Sequence, residues 1–98
     1  MDLNNFTFTG RLVKDAVRKD LSNGSVVKFS VAVKSGFKDE DPVDYFDCNY
    51  WKCPTDLLEH LTKGKQVCIG GNLRQEKWEK DGVSYSKYVV KVSFLKLL

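Results

Sequence analysis

Hydrophobic and polar residues alternate along several segments of this chain, and each such segment predicts a strand. The clearest is Val27–Val33, where every second residue is apolar and the residues between them are small or polar. Because strand side chains point alternately to opposite faces, this segment has one apolar and one polar face. Leu3–Val13 alternates in the same way around Gly10, where we expect a bulge or a sharp bend. The charged segment Lys14–Ser22 has no clear period and is assigned no strand, and Asn23-Gly24 after it predicts a turn.

A third strand is predicted at Tyr45–Trp51, and its two faces differ in character. Alternation places Phe46, Cys48 and Tyr50 on one face, as a core requires. The other face carries Tyr45, Asp47, Asn49 and Trp51. A core strand does not need a face with a large aromatic residue at each end and polar residues between them. This face therefore predicts a surface on which flat ligands stack.

A short helix is expected after this strand. Pro54-Thr55-Asp56 has the composition of a helix start, with Thr55 or Asp56 as the N-cap. Leu57, Leu58 and Leu61 would form its apolar side, and Gly64 would end it in a left-handed cap.

Two further strands complete the chain. Gln66–Gln75 alternates around Gly70-Gly71, where a bend is expected, and Tyr88–Leu98 forms the last strand. Glu76–Tyr85 between them is predicted to be a hairpin arm with Trp78 on it and its tip at Asp81-Gly82. Five strands with one helix between the third and fourth is the order of an all-β, five-stranded oligonucleotide-binding (OB-fold) barrel. A length of 98 residues favours a single domain spanning residues 1–98.

Composition narrows the function only partly. Sixteen Lys and Arg against thirteen Asp and Glu give a net charge of +3, a weak argument for an anionic partner. The aromatic residues, six Phe, four Tyr and two Trp, argue more strongly, because the strands leave too many positions for all of them to be core.

The cysteines and the single histidine do not favour chemistry. Cys48, Cys53 and Cys68 are odd in number, contain no C-x-x-C pair and follow no secretion signal, so reduced thiols in a cytoplasmic protein are expected rather than a zinc site. His60 stands without a serine motif, paired carboxylates or a glycine-rich phosphate loop. We expect no enzymatic activity, no cofactor and no metal, and no apolar run is long enough to span a membrane.

Five local sequences, in this order along the chain, resemble the bacterial-type single-stranded DNA-binding proteins. They are Gly10-Arg11-Leu12 with Lys14-Asp15, Val27–Val33, Tyr45-Phe46-Asp47-Cys48 with Trp51, Leu61-Thr62-Lys63-Gly64-Lys65, and Gly71-Asn72-Leu73-Arg74 with Trp78. The resemblance implies an OB-fold that wraps single strands, usually as a homotetramer. It also implies stacking residues at Phe37, Tyr45, Trp51 and Trp78.

Cations that border this surface are candidates for phosphate contacts. They are Arg11, Lys28, Lys34, Lys38, Lys52, Arg74, Lys77 and Lys87. Asp47 lies between Tyr45 and Trp51 and would repel a polyanion, unless it pairs with a neighbouring Lys or Arg. The acidic run Asp39–Asp41 is expected to point away from the bound strand or to lie at its edge.

The chain departs from the family pattern at two places. Asp15-Ala16 stands where the family usually has Asp-Pro, so that turn is expected to differ. The chain stops at Phe94–Leu98, directly after the barrel, where most members continue into an acidic tail. We therefore expect a compact binding core without tail-mediated recruitment of other proteins, nucleoid-associated or encoded by a phage or mobile element.

These observations predict sequence-tolerant binding and protection of single-stranded DNA in replication, recombination or repair, by a homotetramer or dimer. Two alternatives stay open. A primosome or replication-restart interaction module would keep its protein partner after loss of the aromatics. A barrel that binds RNA or oligosaccharide would differ in ligand, and sugar binding would show almost no salt dependence.

Overall fold

The computed structural model describes residues 1–98 and contains six strands and one short helix. In chain order the elements are β1 (Phe6–Leu12), β2 (Val17–Leu21), β3 (Gly24–Lys34), β4 (Val43–Trp51), α1 (Thr55–Leu58), β5 (Gln66–Lys80) and β6 (Val83–Leu97).

Five of the strands close into a ring. The sheet order is β1-β5-β6-β4-β3-β2, and an additional pairing between β1 and β3 joins its ends. β1 and β2 lie end to end along β3, since Leu12 pairs with Val31 and Val17 pairs with Lys28. β4 and β6 are the parallel pair of the ring, and every other pair is antiparallel. The predicted small barrel with a helix before its fourth strand is confirmed.

The prediction of no strand in Lys14–Ser22 is wrong, because β2 lies inside it. All five residues of β2 are exposed, so the strand leaves no alternation of apolar and polar residues to detect. The turn that follows lies at Ser22-Asn23, one residue earlier than expected, and Gly24 with φ of 129° opens β3.

Of the bulge or sharp bend expected at Gly10, the bulge is absent, because the register of β1 against β5 runs through Gly10 without a shift. Gly10 instead allows a close approach of β3: a Cβ there would overlap the carbonyl oxygen of Ala32 and the side chain of Val31. The bend expected at Gly70-Gly71 is confirmed, since the register of β5 against β6 shifts between these two residues.

The helix is shorter than predicted. It covers Thr55–Leu58, Pro54 occupies the N-cap position, and no side chain caps it, so the prediction of Thr55 or Asp56 as the N-cap is wrong. Gly64 does not end the helix either. Its φ of 85° belongs to the later turn in which the Lys65 N–H donates to the Thr62 carbonyl.

The core fills the inside of the ring. Its buried members are Leu12, Val27, Phe29, Val31, Cys48, Leu61, Val67, Ile69, Val90 and Val92. Phe46 extends this core toward β1, with ring centroids 5.9 Å from Phe6 and 5.0 Å from Phe8. Burial of each large apolar side chain contributes about 1.5–3 kcal/mol, so the inner faces of the strands hold the outer faces in register.

β5 and β6 continue past the ring as a long hairpin. Its tip is Asp81-Gly82, as predicted, with φ of 53° and 77° at the two residues. Positive φ at both central residues is typical of a type I′ turn, whose twist matches that of the two strands.

Candidate nucleic-acid interface

The outer face of β4 carries the aromatic and polar residues that alternation assigns to it. Cys48 is buried on the inner face, whereas Tyr45 keeps 67% of its surface exposed and Trp51 is half-buried. Neither ring is enclosed by the rest of the chain. The predicted division of Tyr45–Trp51 into a core face and an open face is confirmed.

Strand register joins the outer face of β4 to its neighbours. Lys28 pairs with Asn49, Asn49 with Lys91, and Lys91 with Asn72, so one row of side chains crosses β3, β4, β6 and β5. We call this surface the aromatic face. Its polar, charged and aromatic residues include Lys28, Ser30, Tyr45, Asp47, Asn49, Trp51, Asn72, Arg74, Glu76, Trp78, Tyr85, Lys87 and Lys91.

A groove runs along the aromatic face between Trp51 and β5. Arg74 and Glu76 line it from β5, and Val89 and Lys91 line it from β6. Val89 is buried although it does not belong to the core. Trp51 therefore lies beside an apolar groove floor formed by Val89 and beside two cations, Arg74 and Lys91. Lys91 was missed by the sequence analysis, although alternation from Lys87 places both lysines on one face.

Trp78 lies on the hairpin and is stacked on Tyr85, with ring centroids 5.7 Å apart and ring planes inclined by 17°. Each residue keeps 45% of its surface exposed. The sequence analysis missed Tyr85, although counting back from the tip at Asp81-Gly82 places it directly opposite Trp78. The hairpin thus presents a preformed pair of rings.

Asp47 pairs with a neighbouring cation on this face. Its Oδ1 accepts a hydrogen bond from Ser30 Oγ at 2.7 Å, and its Oδ2 lies 3.5 Å from Lys87 Nζ. Lys87 also lies 4.0 Å from Glu76 Oε1, and Asn49 Nδ2 donates to Glu76 Oε2 at 3.4 Å. Lys87 is therefore shared between two carboxylates and is not a free cation.

Three other predicted cations lie at the margin of the aromatic face or behind it. Lys34 pairs with Val43 at the far end of β3, and Lys52 follows Trp51 in a turn with φ of 57°. Lys77 pairs with Ser86 and by alternation lies on the opposite face of the hairpin from Trp78.

Arg11 is tied to the backbone on β1. Its guanidinium donates to the Gly64 carbonyl at 3.1 Å. Across the ladder, Arg11 pairs with Ala32, and Ala32 pairs with Tyr45. The small side chain of Ala32 therefore separates Arg11 from the Tyr45 ring.

Phe37 and Lys38 lie in the loop between β3 and β4, apart from the sheet. Phe37 is fully exposed and has no aromatic partner. Asp41 turns inward, where its carboxylate accepts the Lys38 N–H at 2.9 Å, while Asp39 and Glu40 remain exposed at the tip. One of the three predicted repulsive charges is thus engaged within the loop.

A second groove adjoins the aromatic face at β2. Lys14, Lys19, Lys28 and Lys87 line it, together with Asp15 and Asp47. Asp15 is engaged, since its Oδ1 accepts the Lys63 N–H at 2.8 Å. The sequence analysis did not place Lys14 and Lys19 here because it assigned no strand to this segment.

The three cysteines are free thiols, and no group of His, Cys, Asp or Glu side chains is arranged to hold a metal ion. Burial raises the pKa of the Cys48 thiol to about 12, and the neighbouring Asp47 carboxylate adds to the effect. Burial also raises the pKa of Cys53 and of Tyr50. The single helix is neither long enough nor apolar enough to cross a bilayer.

Comparison with known proteins shows which family the sequence of this chain matches. The model of the Single-strand binding protein family matches residues 3–98. A single-stranded DNA-binding protein of Treponema pallidum is 38% identical over 103 residues, covering 99% of this chain and 58% of the relative. The corresponding protein of Aquifex aeolicus is 36% identical over 92 residues, covering 87% and 63%. The chain thus spans about three-fifths of the length of these curated relatives.

A solved structure supports the same fold. The Plasmodium falciparum SSB complex with ssDNA superposes with a TM-score of 0.86 at 23% identity and covers all of this chain and 96% of that one. The closed five-stranded ring with its short helix is therefore an OB-fold. Because the family model matches nearly the whole chain, the chain belongs to the single-strand binding protein family.

Proposed function

We propose that this chain binds single-stranded DNA with little dependence on sequence and protects it during replication, recombination or repair. One observation carries the proposal: Tyr45, Trp51 and the Trp78–Tyr85 pair all reach solvent on the aromatic face. Every base has a π-face, so such rings accept any base, and each stacked base contributes about 1–3 kcal/mol.

Phosphate contacts would come from the cations that the carboxylates leave free. Lys28 on β3, with Arg74 and Lys91 across the face, borders the rings on both sides. Lys14 and Lys19 extend the basic margin along β2. We propose that Lys34, Lys52 and Arg11 act at the periphery, and that Phe37 and Lys38 contact the strand from their loop.

The binding unit is proposed to be a homotetramer, with a dimer as the alternative. The relatives named above are single-stranded DNA-binding proteins, and the family resemblance implies self-association. The proposed site of action is the cytoplasm, where free thiols such as those of this chain persist. Size-exclusion chromatography with light scattering measures the assembly state directly.

Titration with single-stranded DNA, followed by tryptophan emission, tests the proposal. Bases stacked on Trp51 or Trp78 quench the emission, and affinity falls steeply with salt, with a logarithmic slope of about −0.7 per phosphate neutralised. Trp51→Ala weakens binding by about 1–3 kcal/mol, while Trp78 continues to report it.

Two competitors define the ligand. Duplex DNA of the same sequence should compete poorly, because its bases are not available for stacking. Single-stranded RNA of the same sequence tests the RNA-binding alternative directly. Absence of quenching, or an affinity independent of salt, would refute strand binding by this face.

A further inference from the structure

Two carboxylates share one lysine in the middle of the aromatic face. Lys87 Nζ lies 3.5 Å from Asp47 and 4.0 Å from Glu76, and the three side chains come from β6, β4 and β5. One negative charge is left over after this sharing. This group of three side chains is therefore acidic, although the chain as a whole is basic.

Both carboxylates keep acceptor capacity and remain accessible. Asp47 and Glu76 side chains are 51% and 39% exposed. A carboxylate accepts about four hydrogen bonds, whereas Asp47 uses its positions only toward Ser30 and Lys87. Glu76 accepts only a long hydrogen bond from Asn49 besides its contact with Lys87. Each has room for a further donor from a ligand.

These acceptors lie next to the stacking rings. Asp47 stands two residues from Tyr45 on the same face of β4, and Glu76 stands two residues from Trp78 on the same face of β5. Two residues along a strand span about 7 Å, which is within the reach of a base stacked on the ring. The two carboxylates repel phosphates locally, so the strand would place bases beside them and phosphates next to the cations that line the two grooves.

We propose that Asp47 and Glu76 read the edges of bound bases and favour cytosine over thymine. Cytosine presents its N4 amino group, a donor to carboxylates, whereas thymine presents the O4 acceptor at the same position. The inference rests on the proposed single-strand binding and deepens it: stacking accepts any base, and the carboxylates add a preference. Adenine also presents an amino group, N6, so the carboxylates should favour it as they favour cytosine.

The test compares the dissociation constants of oligo(dC) and oligo(dT) of equal length, two pyrimidines of similar stacking area. The native chain should bind oligo(dC) about three- to tenfold more tightly, the low end of the discrimination of a base-edge hydrogen bond. Asp47→Asn should reduce this ratio toward one, because an amide offers both a donor and an acceptor. Glu76→Gln should do the same independently.

Asp44→Asn is the matched control. It changes the net charge equally on the same strand, but alternation places Asp44 on the opposite face of β4. It should leave the ratio unchanged. Circular dichroism melts of each variant confirm folding, and the two carboxylate variants provide independent readings.

The outcomes separate this inference from the proposed function. A native ratio of one, or a ratio that neither variant changes, overturns base-edge reading while strand binding stands. Equal tightening of both oligonucleotides by Asp47→Asn and Asp44→Asn would assign Asp47 a general charge effect only and would also overturn it. Failure to bind either oligonucleotide refutes the proposed function and this inference with it.

Discussion

Replacement of Tyr45 by alanine tests the stacking argument at the most exposed ring on β4. Tyr45 keeps 67% of its surface open, and its ladder partner on β3 is the small Ala32. The side chain therefore packs little against the rest of the chain. If its role is to hold a base, the substitution should weaken binding while the fold tolerates the loss of stability.

The two effects can be estimated separately. A fully buried aromatic side chain covers about 150–250 Å², so the buried third of Tyr45 is about 50–80 Å². At about 25 cal/mol per Å² its loss lowers the free energy of unfolding by about 1–2 kcal/mol, which a domain of this size tolerates. Loss of one stacked base weakens binding by about 1–3 kcal/mol, or about 5- to 150-fold.

Tyr88→Ala provides the matched control. Tyr88 is 63% exposed, but it pairs with Gln75 and lies on the face of β6 opposite Lys87. Both variants are titrated with the same oligonucleotide and melted in urea. We expect similar losses of stability and a loss of affinity only for Tyr45→Ala. Equal affinities of the two variants would refute the assignment of the aromatic face as the strand-binding surface.

Three further predictions follow from single contacts. Tyr85→Ala removes one ring of the hairpin pair and should weaken strand binding by about 1 kcal/mol, measured by fluorescence; an unchanged affinity would mean that the pair only stabilises the hairpin. Gly10→Ala should lower the free energy of unfolding in urea by about 3 kcal/mol, because its Cβ would overlap the backbone of β3; a loss below about 1 kcal/mol contradicts this close approach. Cys48 should resist thiol reagents in the folded chain at pH 8. Its pKa rises from 9.0 to about 12 on folding, so the unfolded thiol ionises first and stability should fall by about 1.4 kcal/mol per pH unit between these values; a Cys48→Ala variant with the same pH profile would contradict it.

The sequence was sufficient where one face of a strand is buried. In β4, Cys48 is buried against the core, so its neighbours alternate between apolar and polar or exposed positions, and both faces of the strand could be assigned from the sequence. The hairpin tip was equally predictable, because Asp81-Gly82 supplies the positive φ that a type I′ turn requires. β2 could not be predicted because both of its faces are exposed to solvent and its sequence shows no alternation of apolar and polar residues.

The electrostatics of the aromatic face could not be predicted from the sequence. Asp47 contacts Lys87 because β4 and β6 are parallel neighbours in the ring. Only a short stretch of these two strands is paired. Closure of the ring fixes this contact, and no local pattern encodes it. For this reason Lys87 was expected to contact phosphate, whereas the structure shows it shared between Asp47 and Glu76.

The hairpin formed by β5 and β6 has mechanical consequences for the rings that it carries. Pairing of β1 with β5 ends at Gly71, and pairing of β4 with β6 involves only Val90 and Lys91 on β6, so the outer part of the hairpin is a two-stranded ribbon. Such ribbons are marginal by themselves. Backbone amides around Trp78 should exchange with deuterium well before those of the ring. In the proposed binding mode, Tyr45 and Trp51 would therefore form a rigid anchor, and the Trp78–Tyr85 pair would form a compliant arm that adapts to an irregular path of the bound DNA.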